Sequence, residues 1–299
     1  MYKEIPGDLE TPVSAFLKLS VGSDYGYLLE SVEGQEKIAR FSFIGVEPSA
    51  VLRVNDTRLE IIRKDRYGKF TRLQAVESKD PFLEIKHFMS KYKMAYCHGD
   101  LRFCGGLVGY MGYDMVRFFE EIPDKNPHAR GIPECLFLLS DTLVMFDHFH
   151  HTLKIISCAF IEDAGPKAVL TAYAKAARKI ETIIKKLRNP VKENLILKKK
   201  KVKVASFTSK QNFADMVKKA KGYIAKGDII QVVLSQVFTA KITRKPFDIY
   251  RTLRSLNPSA YMFYLKCEAL HLVGSSPEML VRCEDGSVAT RPIAGTRPR

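Results

Sequence analysis

Short apolar runs with strand patterning, broken every few residues by Gly, Asp or Pro, fill the first half of the chain and constrain its fold most. YGYLLES (25–31), RFSFIG (40–45), SAVLRV (49–54), LEIIRK (59–64) and KFTRLQAV (69–76) belong to this series. CGGLVGYMGY, LSDTLVMFDHF and TLKIISCAF continue it. Successive side chains of a strand point to opposite faces, so brief alternating runs separated by turn residues read as antiparallel sheet. Helices are expected at 81–92 and at 164–187, where apolar residues recur at helical spacing.

The stretch NPVKENLILKKKKVKVAS (189–206) is charged and weakly patterned, and reads as a linker between a domain at 1–188 and a second one at 207–299. Thr208 and Gln211 have capping-box spacing, and Phe213, Met216, Val217, Ala220, Tyr223 and Ile224 form one stripe. A helix is therefore expected over 209–225, ending before Gly227. DIIQVVLSQVF (228–238) is almost continuously apolar and β-branched, as a strand covered on both faces would be. FDIYRTLRSLN reads as a helix, and YMFYLKC, LHLVGS and MLVRCE as strands. The fold class is α+β with two sheet systems.

Composition narrows the function. The formal charge of +15 raises nucleic acid as a partner, but the lysine-rich stretches 185–188 and 198–201 have no interleaved aromatics and no nucleic-acid motif. A solvated basic surface is the expectation, compatible with anionic small molecules. No run reaches the roughly 20 apolar residues of a membrane span, and the start lacks signal-peptide architecture, so a cytoplasmic address is expected. Cys97, Cys104, Cys135, Cys158, Cys267 and Cys283 include no C-x-x-C pair and read as reduced thiols. His148, His150 and His151 lack a third ligand type at useful spacing, which argues against a metal site.

The last stretch, SSPEMLVRCEDGSVATRPIAGTRPR, carries the chemistry. Asp285–Gly286 between strand-like runs signals a type I′ hairpin, and the register of that hairpin sets Glu284 against Ser287 and Glu278 against Ile293. Diagonal neighbours lie about 7–8 Å apart, so Glu278 would approach Arg291, Ala294, Gly295 and Thr296. A carboxyl group, a Gly-Thr turn and arginines on one rim suit a small polyanion; a surface ion pair of Glu278 with Arg291 or Arg282 explains the same spacing.

GDIIQVVLSQVF, NPSAYMFYL, LVGSSPEMLVR and RPIAGTRPR resemble consecutive motifs of the chorismate-binding enzymes, which include anthranilate, aminodeoxychorismate and isochorismate synthases. YLLESVEGQEKIARFSFIGVEP and GGLVGYMGYDMVRFFE are similar to the amino-terminal domain of the component I chains of anthranilate synthases. The resemblance implies an antiparallel-sheet sandwich, two interleaved sheet systems with helices outside. It makes 1–188 the regulatory and partner-facing domain and 207–299 the first part of the catalytic domain. Isochorismate synthases have a lysine base where this chain has Gln231, and aminodeoxychorismate synthases a nucleophilic lysine where it has Ala294.

What remains is direct addition of ammonia to chorismate, giving anthranilate and pyruvate for tryptophan biosynthesis. The alternatives are aminodeoxychorismate synthesis, or a non-catalytic fragment that binds tryptophan or a partner. On this resemblance Glu278 is the general acid, with Thr296 catalytic beside it, and Gly295 and Thr296 contact chorismate. Glu30, Ser31, Ala260, Tyr261 and Met262 form the tryptophan feedback site, with Ala260 where the family usually has proline. Mg²⁺ is implied, its ligands lying in family sequence beyond GTRPR, so the chain alone is expected to be catalytically incomplete. A glutamine amidotransferase subunit is implied as ammonia donor, in a hetero-oligomer.

Overall fold

The computed structural model describes residues 1–32, 40–65, 67–95, 101, 103–124, 131–163, 165–191 and 202–292. In chain order the elements begin with β1 (Tyr2–Pro6), α1 (Pro12–Leu19), β2 (Tyr25–Glu30), β3 (Phe41–Val46), β4 (Ala50–Asn55), β5 (Arg58–Lys64), β6 (Phe70–Glu77) and α2 (Pro81–Ser90). There follow β7 (Gly106–Met111), a 3₁₀ turn (Tyr113–Phe118), β8 (Cys135–Ser140), β9 (Thr142–Asp147), β10 (Thr152–Ser157) and α3 (Pro166–Leu187). Next come β11 (Val204–Ser206), α4 (Lys210–Lys226) and β12 (Phe238–Ala240). The chain closes with α5 (Pro246–Leu256), β13 (Tyr261–Cys267), β14 (Leu270–Ser276), β15 (Arg282–Glu284) and β16 (Ser287–Ala289).

The larger of two compact units comprises Met1–Val191 together with Pro246–Arg299. Its strands form a seven-stranded sheet, β1-β10-β9-β3-β2-β13-β14, and a five-stranded sheet, β6-β5-β4-β8-β7. Pairing is antiparallel throughout both sheets. Tyr25, Tyr27 and Leu265 of the first sheet share one core with Val51, Val108 and Leu138 of the second, so the sheets pack face to face. Phe16, Ile180 and Phe247, from α1, α3 and α5, cover the other face of the seven-stranded sheet at Leu28, Val144 and Tyr264. Phe88 of α2 and Met115 cover the five-stranded sheet at Leu52 and Leu59. The result is the expected α+β sandwich, helices outside.

β9 shows what such a core does to a strand. It pairs with β10 on one side and β3 on the other, and all six of its residues are buried. Close packing also explains Gly109 of β7: a Cβ there would sit 1.9 Å from the carbonyl oxygen of Leu136.

The second unit, Lys192–Lys245, holds β11, α4 and β12. Ser209, rather than Thr208, caps α4 by accepting from Asn212 N–H at 3.1 Å, and Gly227 ends it with φ of 80°. The strand expected over 228–238 is not formed: only Phe238–Ala240 pairs, with β11. Among the described residues 229–236 make no backbone hydrogen bond, because no neighbouring strand lies along them.

Three further differences stand out. The sequential division at 189–206 differs from the division by contacts, since 246–299 joins the first unit through β13 beside β2. Helix α1 was not anticipated, although Thr11 accepting from Ser14 N–H ahead of Pro12 is a local start signal. Cys135, Cys158, Cys267 and Cys283 are free, but Cys104 is disulfide-bonded, against the expectation of reduced thiols throughout.

Candidate active site and regulatory pocket

The turn chemistry of Asp285 and Gly286 holds: their φ values are 49° and 79°, both positive as a type I′ turn demands. The strands pair Glu284 with Ser287, Cys283 with Val288 and Arg282 with Ala289. Beyond Arg282 the ladder stops, and Ile293, Ala294, Gly295 and Thr296 lie outside the described residues. The segment before β15 nevertheless meets the segment after β16. Glu278 lines a cavity of about 340 Å³ with Ser276, Met279, Leu280, Thr290 and Pro292. Ser276 fixes its entrance: the hydroxyl accepts from Glu278 N–H at 3.3 Å and donates to Glu278 C=O at 3.2 Å. The Glu278 side chain is on an exposed residue, so an anionic ligand and a carboxyl group can meet there. Arg282 meets Glu284 at 3.6 Å, on the exposed side of the hairpin.

The other group of predicted residues is brought together by the β2–β13 ladder. Glu30 pairs with Met262, and Val32 N–H donates to Ser259 C=O at 3.0 Å, which sets Ser31 beside Ala260 and Tyr261 at one end of two adjoining strands. β2 and β13 are neighbours within the seven-stranded sheet, so both halves of this group come from one sheet. Glu30 is buried and points at α5, where Tyr250 Oη donates to its Oε2 and Arg254 donates from Nε and Nη2 at 3.0 and 3.2 Å. Burial, then the charge of Glu30, holds the Tyr250 hydroxyl far above its usual range, so it remains a donor. Sequence reasoning missed Tyr250 and Arg254, although their i,i+4 spacing puts both on one helix face. Ser31 Oγ is buried and finds no hydrogen-bond partner among the described residues.

One residue touches both places. Ser276, which holds Glu278, also pairs with Tyr261 across the β13–β14 ladder and accepts at its carbonyl from Ser259 Oγ at 2.9 Å.

The histidine cluster is structural. His148 Nε2 lies 2.7 Å from Ser42 Oγ, and His150 Nδ1 lies 2.9 Å from Asp147 Oδ2. Burial alone would raise the Asp147 carboxyl, but hydrogen bonds from Arg40 (2.8 Å) and His150 outweigh it and hold the group well below the usual carboxylate range. A cavity of about 400 Å³ beside β1 is lined by Glu4, Asp8, His150 and His151, at the sheet edge opposite β14. Among the described residues no group of three or more His, Cys, Asp or Glu could hold a metal ion, and no helix is long and apolar enough to cross a membrane.

Residues 25–299 match the family model for chorismate binding enzymes. Over its full length the chain is 42% identical to anthranilate synthase component 1 of Aquifex aeolicus, covering 59% of that protein. It is 37% identical, again over its full length, to anthranilate synthase component 1 of Pseudomonas aeruginosa, covering 61% of it. The crystal structure of anthranilate synthase component I from Streptococcus pneumoniae aligns with a TM-score of 0.65 at 27% identity, over 95% of this chain and 59% of that one. The chain thus spans about three-fifths of the length of these relatives.

Proposed function

The chain belongs to the chorismate-binding enzymes, and from that membership we propose that it is the ammonia-using component of an anthranilate synthase. The observation that carries the reading is the cavity of about 340 Å³ that Glu278 helps to line. In the proposed reaction the nitrogen of ammonia bonds to C2 of chorismate and the C4 hydroxyl departs as water with a proton from Glu278. Loss of pyruvate then gives the aromatic amine. Gly295 and Thr296 contact the substrate in this reading, with Thr296 beside the acid.

Gln231 and Ala294 favour this outcome over its relatives, since neither a neutral amide nor a methyl group can act as base or nucleophile. Magnesium stays part of the proposal, its ligands expected in family sequence beyond GTRPR, and no step described depends on it. A glutamine amidotransferase is the proposed source of ammonia, and the cytoplasm the proposed place of action.

The test supplies the chain with a polypeptide spanning the relatives' remaining length and follows anthranilate fluorescence from chorismate and ammonium. Glu278→Gln should lower turnover by about 10²–10⁴-fold while chorismate affinity changes far less. Product of another kind, or a near-normal rate in the variant, would reject the assignment.

Feedback control is the second element of the proposal. Tryptophan is placed against Ser31, Ala260, Tyr261 and Met262, next to the Glu30 carboxylate that Tyr250 and Arg254 hold in place. Ser31 Oγ, buried without a partner among the described residues, supports a ligand there, and Ser276 supplies a physical link to Glu278. Calorimetry should find tryptophan binding to the unaltered chain and its loss in Ser31→Phe; equal affinity for the two would remove this site.

A further inference from the structure

The backbone that carries Glu278 has little freedom left. Strand β14 reaches it through Ser276 and Pro277. The Ser276–Pro277 peptide is planar, and the proline ring holds its own φ at about −65°. Only ψ of Pro277 and φ of Glu278 stay soft. The Ser276 hydroxyl closes across both, because it accepts from Glu278 N–H at 3.3 Å and donates to Glu278 C=O at 3.2 Å. Ser276, Pro277 and the Glu278 backbone therefore form one stiff unit, oriented as a whole by the plane of the Ser276 carbonyl.

That carbonyl accepts from Ser259 Oγ at 2.9 Å. Ser259 is buried, whereas Asn257, Pro258 and Ala260 around it are partly or fully exposed. Its own carbonyl accepts from Val32 N–H at 3.0 Å, and its hydroxyl oxygen accepts from Tyr261 N–H at 3.4 Å. The donor is thus fixed to β13 and to the exit of β2, two strands that pair with each other. A neighbouring bond makes a useful contrast. Ser275 Oγ donates to Asn257 C=O at 2.7 Å, which ties the same turn to β14 but leaves the Ser276 carbonyl untouched.

We propose that Ser259 is a positioning residue for Glu278: through the Ser276 carbonyl, its hydroxyl sets the direction in which the acid leaves the sheet. The inference rests on the reading of Glu278 as general acid and adds to it a residue that acts only through another. Seventeen positions separate Ser259 from Ser276, so no local pattern announces the pair. A reacting group misplaced by about 1 Å loses on the order of 10²-fold in rate. Losing this one hydroxyl should therefore lower turnover and leave substrate binding nearly unchanged.

The first measurement needs no catalysis. In the chain itself, Ser259→Ala should speed amide exchange at Glu278 by at least ~10-fold, while Ser275→Ala leaves it within ~2-fold. Ser259→Cys, close in size and a weaker donor, should act in the same direction by less, and it decides the question if the alanine variant does not fold. In the anthranilate assay with the remaining polypeptide supplied, Ser259→Ala should lower kcat by ~10–100-fold with KM for chorismate within ~2-fold, and Ser275→Ala should change neither beyond ~2-fold. If the unaltered chain yields no anthranilate there, the acid reading fails, and the exchange result still decides whether Ser259 holds Glu278. Unchanged exchange at Glu278 in Ser259→Ala, an equal response to Ser275→Ala, or a loss confined to KM would overturn the proposal.

Discussion

The segments TLVMFD (142–147) and DIIQVVLSQVF (228–238) have nearly the same apolar, β-branched character and opposite fates. The first becomes β9, paired on both sides and buried at every residue. The second stays irregular for most of its length, with Ile230 and Val233 in solvent. The helices repeat the contrast: α3 buries Ile180, Ile183, Ile184 and Leu187, while α4, less strongly striped, has no fully buried residue. Apolar sequence therefore gives a segment the capacity to be a strand or a packed helix. Neighbours on the remaining sides decide whether that capacity is used.

Charge insertion is the strongest way to break this comparison. Val144→Asp puts a carboxylate where both sheet neighbours and the helical layer exclude water, and should destabilise the chain by about 4 kcal/mol or more in urea unfolding. Val233→Asp should stay within about 0.5 kcal/mol of the unaltered chain. Similar costs at the two positions would mean that the run is buried in solution. A smaller effect comes from glycines. Gly109→Ala drives a methyl into the Leu136 carbonyl and should cost about 1–3 kcal/mol. In α4 a Cβ at Gly222 meets nothing within 4 Å, so Gly222→Ala should stabilise by about 0.5–1 kcal/mol through helix propensity.

The smallest effect is confined to acid. β9 ends on Asp147, whose folded carboxyl lies below its unfolded value, so its contribution is present above about pH 4 and is lost as pH falls further. The stability gap between the unaltered chain and Asp147→Asn should hold between about pH 5 and 7 and narrow below about pH 4. Asp215 of α4, exposed along with its partner Lys218, should change stability by no more than about 0.5 kcal/mol when changed to Asn. A gap that widens in acid would show that Asp147 gains nothing from Arg40 and His150.

The sequence was most legible where the governing physics is local. The positive φ values of Asp285 and Gly286 follow from two residue types, and the register Glu284 to Ser287 follows from the turn. The strands 25–30, 41–46 and 142–147 were legible because alternation or continuous apolarity agreed with the environment they found. Long-range pairing was not: nothing near Leu29 announces Phe263 as its partner, so the return of β13 to the first unit stayed hidden. The Glu30 environment was half legible, since the β2 end could be singled out but its link to Tyr250 and Arg254 depends on where α5 packs. Ser276 was passed over because a serine ending a strand carries no pattern; its role comes from touching Ser259 and Glu278 at once.

The pairing of Leu29 with Phe263 also sets a clock. At ~5–20 residues per second, a ribosome needs on the order of ten to fifty seconds to travel from β2 to β13. Throughout that interval the newborn sheet is open along β2, in its middle rather than at a blunted margin, and is prone to mispairing. Nascent chains stalled before β13 emerges should accordingly expose β2 amides that the released protein protects. A holding chaperone during synthesis should raise the yield of soluble chain more than one added afterwards.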